Sequence, residues 1–152
     1  MNLLLSTLLT LPEYKRLLSH VEAGRCAAIS GVGQLARSHG MAALYAAAGR
    51  PAVVVCQDDL EAGRLQAELG SFLGIEAPIL PTRELTLYDA AVVSRSWEQK
   101  RLRQLYDLAV GNTDFVIFSW ESLSQRTMPK SVLLRAAFTL EVGREYPVED
   151  LT

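Results

Sequence analysis

The stretch Cys26-Ala27-Ala28-Ile29-Ser30-Gly31-Val32-Gly33-Gln34-Leu35-Ala36-Arg37-Ser38 has the strand, glycine loop and helix order of a phosphate-binding unit. The apolar run 26–29 predicts a buried strand, and the Ala-rich segment 36–48 predicts a helix. This order is typical of the first unit of an α/β fold, in which a strand feeds a helix that packs on the sheet.

The glycine loop lacks the residue that grips phosphate. The phosphate-loop pattern G-x-x-x-x-G-K-[ST] needs a Lys that reaches the terminal phosphates. No Lys occurs between Lys15 and Lys100, and Arg37 is a poor substitute for a compact ammonium group. The sequence therefore disfavours a nucleotide triphosphatase and predicts no cofactor and no catalytic residue. We interpret four residues as a vestigial phosphate loop: Ser30, Gly31, Gly33 and Ser38.

A dinucleotide site is the alternative interpretation of the same loop. The residues 31–36 match the pattern G-x-G-x-x-[GA], with Gly31 and Gly33 as its glycines. That pattern needs an acidic residue about 20 positions further on, and the candidates Asp58 and Asp59 come late. Asp58 also opens a capping box with Glu61. A Rossmann-like dinucleotide-binding domain stays open as the second hypothesis.

Continuous apolar runs predict further strands buried on both faces. Besides 26–29, these runs lie at 52–56, 77–80 and 115–118, and they alternate with helical segments. Such alternation indicates an α/β fold, with a parallel sheet and helices on both of its faces.

Local signals place the helices between these strands. A capping box at Thr10 with Pro12 starts one helix, Asp58 starts another that ends near Gly74, and Ser96 starts a third that ends at Gly111. The third helix should present one apolar face, formed by Leu102, Leu105, Tyr106 and Ala109. A short last helix is expected from Ser119 to a point before Pro129.

The last twenty residues break this rhythm. The run 138–142 alternates like a strand with one wet face, and 148–152 resembles the start of a helix. We therefore expect an α/β domain over 1–130 and, over 131–152, the start of a connection to a following domain in a longer protein.

Composition excludes several classes of function. The 152 residues are 49% hydrophobic and 21% charged, with a net charge of -2, which gives no broad attraction to nucleic acid. The Leu-rich start is too short to span a bilayer and is expected to be a buried amphipathic segment. Cys26 and Cys56 are expected in the core of a protein of the reducing cytoplasm. The two histidines, His20 and His39, form no metal-ligand pattern.

Two groups of polar residues suggest an interaction surface. The first follows the third predicted strand, where α/β folds place their sites; the second is a basic group on the next helix. Together they are Arg83, Glu84, Tyr88, Asp89, Arg95, Lys100, Arg101 and Arg103. Glu98 and Asp107 interrupt the basic group, so a solvated helix face is the competing interpretation and direct DNA contact is disfavoured.

These features in order resemble a known protein family. The matching segments are the lysine-free loop at 29–31, 49–55 with Asp58, 80–89, Arg101-Leu102, and 115–117 leading to Leu123 and Gln125-Arg126. Over about residues 20–150 the chain resembles the amino-terminal module of bacterial transcription-repair coupling factor. That module is similar to the excinuclease subunit UvrB.

The resemblance carries specific expectations. Full-length members displace RNA polymerase stalled at DNA damage, using an ATP-driven DNA translocase far downstream, and recruit UvrA. The resemblance implies a degenerate P-loop, UvrB-like domain that has lost its ATP site and serves as a scaffold. Its partners would be other domains of the same protein, with UvrA and RNA polymerase reached through the longer protein.

Overall fold

The computed structural model describes residues 3–82 and 95–147, without the side chain of Arg95. Seven helices and two strands occur in these ranges: α1 Leu3–Leu8, α2 Pro12–Glu22, α3 Gln34–Ala48, β1 Ala52–Cys56, α4 Asp59–Leu73, α5 Arg95–Val110, β2 Phe115–Ser119, α6 Trp120–Ser124 and α7 Lys130–Ala136. The α/β class predicted from the sequence is confirmed.

The described sheet is small and parallel. β1 and β2 pair in the register Ala52↔Phe115 to Cys56↔Ser119. The predicted strand at 77–80 is reduced to an isolated bridge between Ile79 and Ile117. Leu80 N donates to Ile117 O at 3.0 Å, and Ile117 N donates to Pro78 O at 2.9 Å. β2 is therefore the central strand, with β1 on one side and the bridge segment on the other.

The core lies between the sheet, α3 and α4. Buried members of the cluster come from the helices, the sheet and α1, and they include Leu5, Ala42, Ala43, Ala62, Leu65, Leu69, Phe115 and Ile117. Burial on both faces is confirmed for β2, whose first three residues are all buried. In β1, Val53 and Val55 are 61% and 48% exposed, so the prediction of two buried faces is wrong for this strand.

Two predicted strands are absent from the described structure. The run 26–29 is irregular, with Cys26 exposed and Ile29 60% exposed. The run 138–142 is also irregular, and Phe138, Leu140 and Val142 are exposed. An apolar run becomes a strand only when a neighbouring strand satisfies its backbone, and neither run pairs with β1 or β2.

Helix starts follow local chemistry in one case and tertiary context in another. The Asp58 cap is confirmed, because its Oδ1 accepts from Glu61 N at 2.8 Å. The Thr10 cap is wrong: Leu11 is the N-cap of α2, and Thr10 Oγ1 donates to Thr7 O at 2.7 Å. The turn that follows α1 therefore takes the hydroxyl that was expected to cap α2.

Removing the α4 cap should measurably weaken the fold. Asp58→Ala leaves the Glu61 amide without its side-chain acceptor, and we expect the free energy of unfolding in urea to fall by about 1 kcal/mol. Thr10→Ala is the matched control, since Thr10 caps no helix, and its effect should stay within about 0.5 kcal/mol. Equal losses in the two variants would contradict this assignment.

The two cysteines should differ sharply in reactivity. Cys26 is exposed, whereas the buried Cys56 thiol donates to Phe118 O at 3.2 Å. Burial, aided by the negative charges of Glu61 and Asp58, raises the pKa of Cys56 and so lowers its thiolate fraction at neutral pH. We expect iodoacetamide to add one carbamidomethyl group to the native protein, at Cys26. Labelling that persists in Cys26→Ser would show that Cys56 is accessible.

Candidate functional site

The glycine loop is open to solvent and short. Ser30, Gly31 and Gly33 are all exposed, and Gly31 has a φ of 73°, which favours glycine. Gly33 is the N-cap of α3, so the helix starts at Gln34. The predicted turn is present, but the buried strand that should precede it is not.

Ser38 faces the protein interior. Its side chain is 0% exposed, and its Oγ donates to the carboxylate of Glu68 on α4. The other Glu68 oxygen lies 3.6 Å from Arg64 Nε, and Arg64 also pairs with Glu61 at 3.3 Å. The hydroxyl that would hold Mg²⁺ in a working phosphate loop is thus bound to an acidic side chain, whose charge disfavours a phosphate nearby.

Polar side chains from three segments meet at the carboxyl end of the sheet. This carboxyl-edge network consists of Asp59, Thr82, Ser119 and Ser122. Thr82 Oγ1 donates to Asp59 Oδ1 at 2.9 Å, so Ser119 Oγ, 3.0 Å away, donates to Thr82. Ser119 Oγ in turn accepts from Ser122 N at 3.1 Å and caps α6. The edge where parallel sheets usually bind ligands is therefore closed by its own hydrogen bonds.

Arg101 fastens α5 to this edge. The residue is 5% exposed, with Nη1 donating to Pro81 O at 2.7 Å and Nη2 donating to Ser122 O at 3.1 Å. Its guanidinium lies 5.8 Å from the ring centroid of Trp97, whose Nε1 donates to Thr82 O. Burial lowers the pKa of Arg101. The contacts give Arg101 a structural role in joining α5, the bridge segment and α6.

The predicted basic group does not form one described surface. Arg101 is buried, which corrects its assignment to an exposed surface, while the expected apolar face gives up Leu102, 41% exposed. Arg103 pairs with Asp107 at 2.9 Å; this hydrogen bond, with that from Asn112, lowers the pKa of Asp107. Lys100 lines a cleft of about 580 Å³ beside Glu76. Arg83, Glu84, Tyr88, Asp89 and the side chain of Arg95 lie outside the described residues.

Sequence reasoning missed three members of these contacts. Glu68 was read only as part of a helix, and Thr82 and Ser119 only as a loop residue and a helix start. The available signal was that Thr82 and Ser119 each directly follow an apolar run, since the carboxyl ends of neighbouring parallel strands converge.

Two further classes of site were searched for within the described ranges. No group of three His, Cys, Asp or Glu side chains there could hold a metal ion. None of the helices in the same ranges has the length and apolar character needed to cross a membrane.

Comparison with known proteins gives one relative. No family model and no solved structure matches the chain. The transcription-repair-coupling factor of Myxococcus xanthus is 28% identical over 147 residues. The match covers 91% of this chain but 12% of the relative, so the chain spans about one-eighth of that protein's length. The resemblance drawn from the sequence motifs is thus confirmed: over nine-tenths of its length, this chain is similar to part of a transcription-repair-coupling factor.

Proposed function

We propose that this chain is a non-catalytic scaffold and interaction module of a transcription-repair coupling factor, acting in DNA repair in the cytoplasm. The observation that carries the proposal is the similarity to the Myxococcus xanthus factor across 91% of the chain. ATP-driven translocation on DNA, displacement of RNA polymerase and recruitment of UvrA belong, in this proposal, to the longer protein.

The glycine loop supports the non-catalytic part of the proposal. The loop has no Lys, α3 starts directly after Gly33, and Ser38 is bound to Glu68. These features fit a degenerate P-loop domain of UvrB-like architecture, which keeps the order of elements and gives up the phosphate contacts. Loss of such contacts at an exposed loop has little effect on stability.

The dinucleotide alternative finds less support in the acidic side chains. Asp58 is engaged in capping α4, and Asp59 accepts the hydroxyl of Thr82. Each carboxylate that could have held a ribose hydroxyl therefore has an internal partner.

Thermal unfolding with ligands tests the proposal. The chain is heated with millimolar Mg-ATP, Mg-ADP, NAD or NADP, and we expect no change in Tm. A ligand present at a hundred times its Kd would stabilise the native state by about 2.7 kcal/mol, which raises Tm by several degrees.

A matched variant locates any shift that appears. Gly33→Glu adds a negative charge to the loop, and a Cβ at Gly33 meets no atom within 4 Å, so the fold should tolerate it. A shift that disappears in this variant would place a nucleotide at the loop and overturn the scaffold proposal.

A further inference from the structure

The outer edge of β1 has no strand partner in the part of the chain that the structure describes. Ala52 N donates to Asp114 O at 2.6 Å, so the backbone groups of Ala52, Val54 and Cys56 face β2. Because these groups alternate along a strand, the N–H and C=O groups of Val53 and Val55 point away from β2. Four hydrogen-bonding groups thus lie along a free edge.

An apolar groove runs beside this edge. Its volume is about 420 Å³, and its walls come from the end of α2, from α3 and from β1, including Val21, Met41, Leu44, Val53 and Val55. Natural edge strands are usually protected by a charge, a proline or a bulge. The sequence of β1 is Ala-Val-Val-Val-Cys, which contains neither charge nor proline. The edge therefore has the chemistry of a strand that pairs.

The neighbouring segment 26–29 leaves this edge open. It is tethered near both ends of β1: Arg50, just before β1, donates to Glu22 O at 3.3 Å, and Gln34 lines a small pocket with Gln57, just after β1. Despite these tethers the segment makes no ladder with β1, and Ile29 is 60% exposed. A strand inserted between the two would cover Val53, Val55 and Ile29 together.

We propose that the outer edge of β1 receives a β-strand from another part of a longer polypeptide, lying between β1 and the segment 26–29. The proposal rests on the proposed function, since the chain spans 12% of the relative's length and the remainder would supply the strand. The strand is extended and about five residues long, to match β1, and is rich in β-branched apolar residues. Its backbone pairs with Val53 and Val55.

Amide hydrogen exchange tests this inference. Exchange is measured by mass spectrometry with electron-transfer fragmentation, in the 152-residue chain and in the whole polypeptide that its gene encodes. In the 152-residue chain the amides of Val53 and Val55 should exchange faster than those of Val54 and Cys56, which face β2. In the longer polypeptide, Val53 and Val55 should slow by about a hundredfold or more.

A proline variant separates pairing from general stabilisation. Val55→Pro removes an N–H that points away from β2, so the β1–β2 ladder keeps its bonds. In the longer polypeptide this variant should remove the protection of Val53, while Val54 stays protected. Retained protection of Val53 would contradict strand addition.

The remaining outcomes discriminate between the proposals. Equal exchange of Val53 and Val55 in the short and long polypeptides would overturn the added strand and leave the scaffold proposal standing. Protection that grows with the concentration of the 152-residue chain would assign the edge to a second copy and overturn the inference, as would a gene product that ends at Thr152. A nucleotide-induced rise in Tm would contradict the scaffold proposal without changing these exchange rates.

Discussion

Arg101→Met is expected to lower the free energy of unfolding by about 2–4 kcal/mol. The substitution keeps an apolar stem of similar length but removes the two N–H groups that reach Pro81 O and Ser122 O. Both carbonyls then lose a charged donor in a place where water is largely excluded, since Arg101 is 5% exposed. Urea denaturation, followed by tryptophan fluorescence and by circular dichroism, measures the loss.

Arg103 provides the matched control on the same helix. Its side chain is 75% exposed, and its only printed ion pair among described residues is with Asp107 on the surface, so Arg103→Met should cost less than about 0.5 kcal/mol. Arg101→Lys should give an intermediate loss, because one ammonium cannot reproduce the planar fork that serves two carbonyls. Equal effects at 101 and 103 would contradict the structural role of Arg101.

Ile117→Ala should cost about 2–5 kcal/mol. Ile117 is 0% exposed in the central strand, and its backbone bonds to both Pro78 and Leu80 of the bridge segment. Truncation leaves a cavity between the sheet and the helices without removing any of these backbone bonds. The loss should appear as a lower urea midpoint with an unchanged slope.

Val53 tests the same change on the open side of the sheet. In the 152-residue chain, Val53→Ala removes a side chain that is 61% exposed, so the loss should remain below about 1 kcal/mol. A loss comparable with that of Ile117→Ala would mean that Val53 is buried in solution, contrary to the structure.

Local signals in the sequence were good guides where the chemistry is local. The Asp58 cap and the stop at Gly74, whose φ of 69° is left-handed, both depend on residues within a few positions. The class of the fold followed from alternating helices and apolar runs. These features require no knowledge of what packs against them.

Features that depend on distant partners were beyond the sequence pattern. The run 26–29 is as apolar as a strand, but nothing in it reveals whether a neighbouring strand is present. The spacing of α5 placed Leu102 inside, whereas contacts with the bridge segment and α6 rotate Arg101 inward. The Ser38–Glu68 contact joins residues 30 positions apart, which periodicity alone cannot connect.

The early start of α3 limits what redesign of the glycine loop could achieve. Ala36→Gly with Arg37→Lys would complete the letters of a phosphate-loop motif ending at Ser38. Yet positions 36–38 already lie within the helix that starts at Gln34, and Ser38 points toward α4. The backbone amides that should encircle a phosphate are instead turning into helix. Recovering a nucleotide site would therefore require unwinding the first turn of α3 as well as restoring the missing lysine.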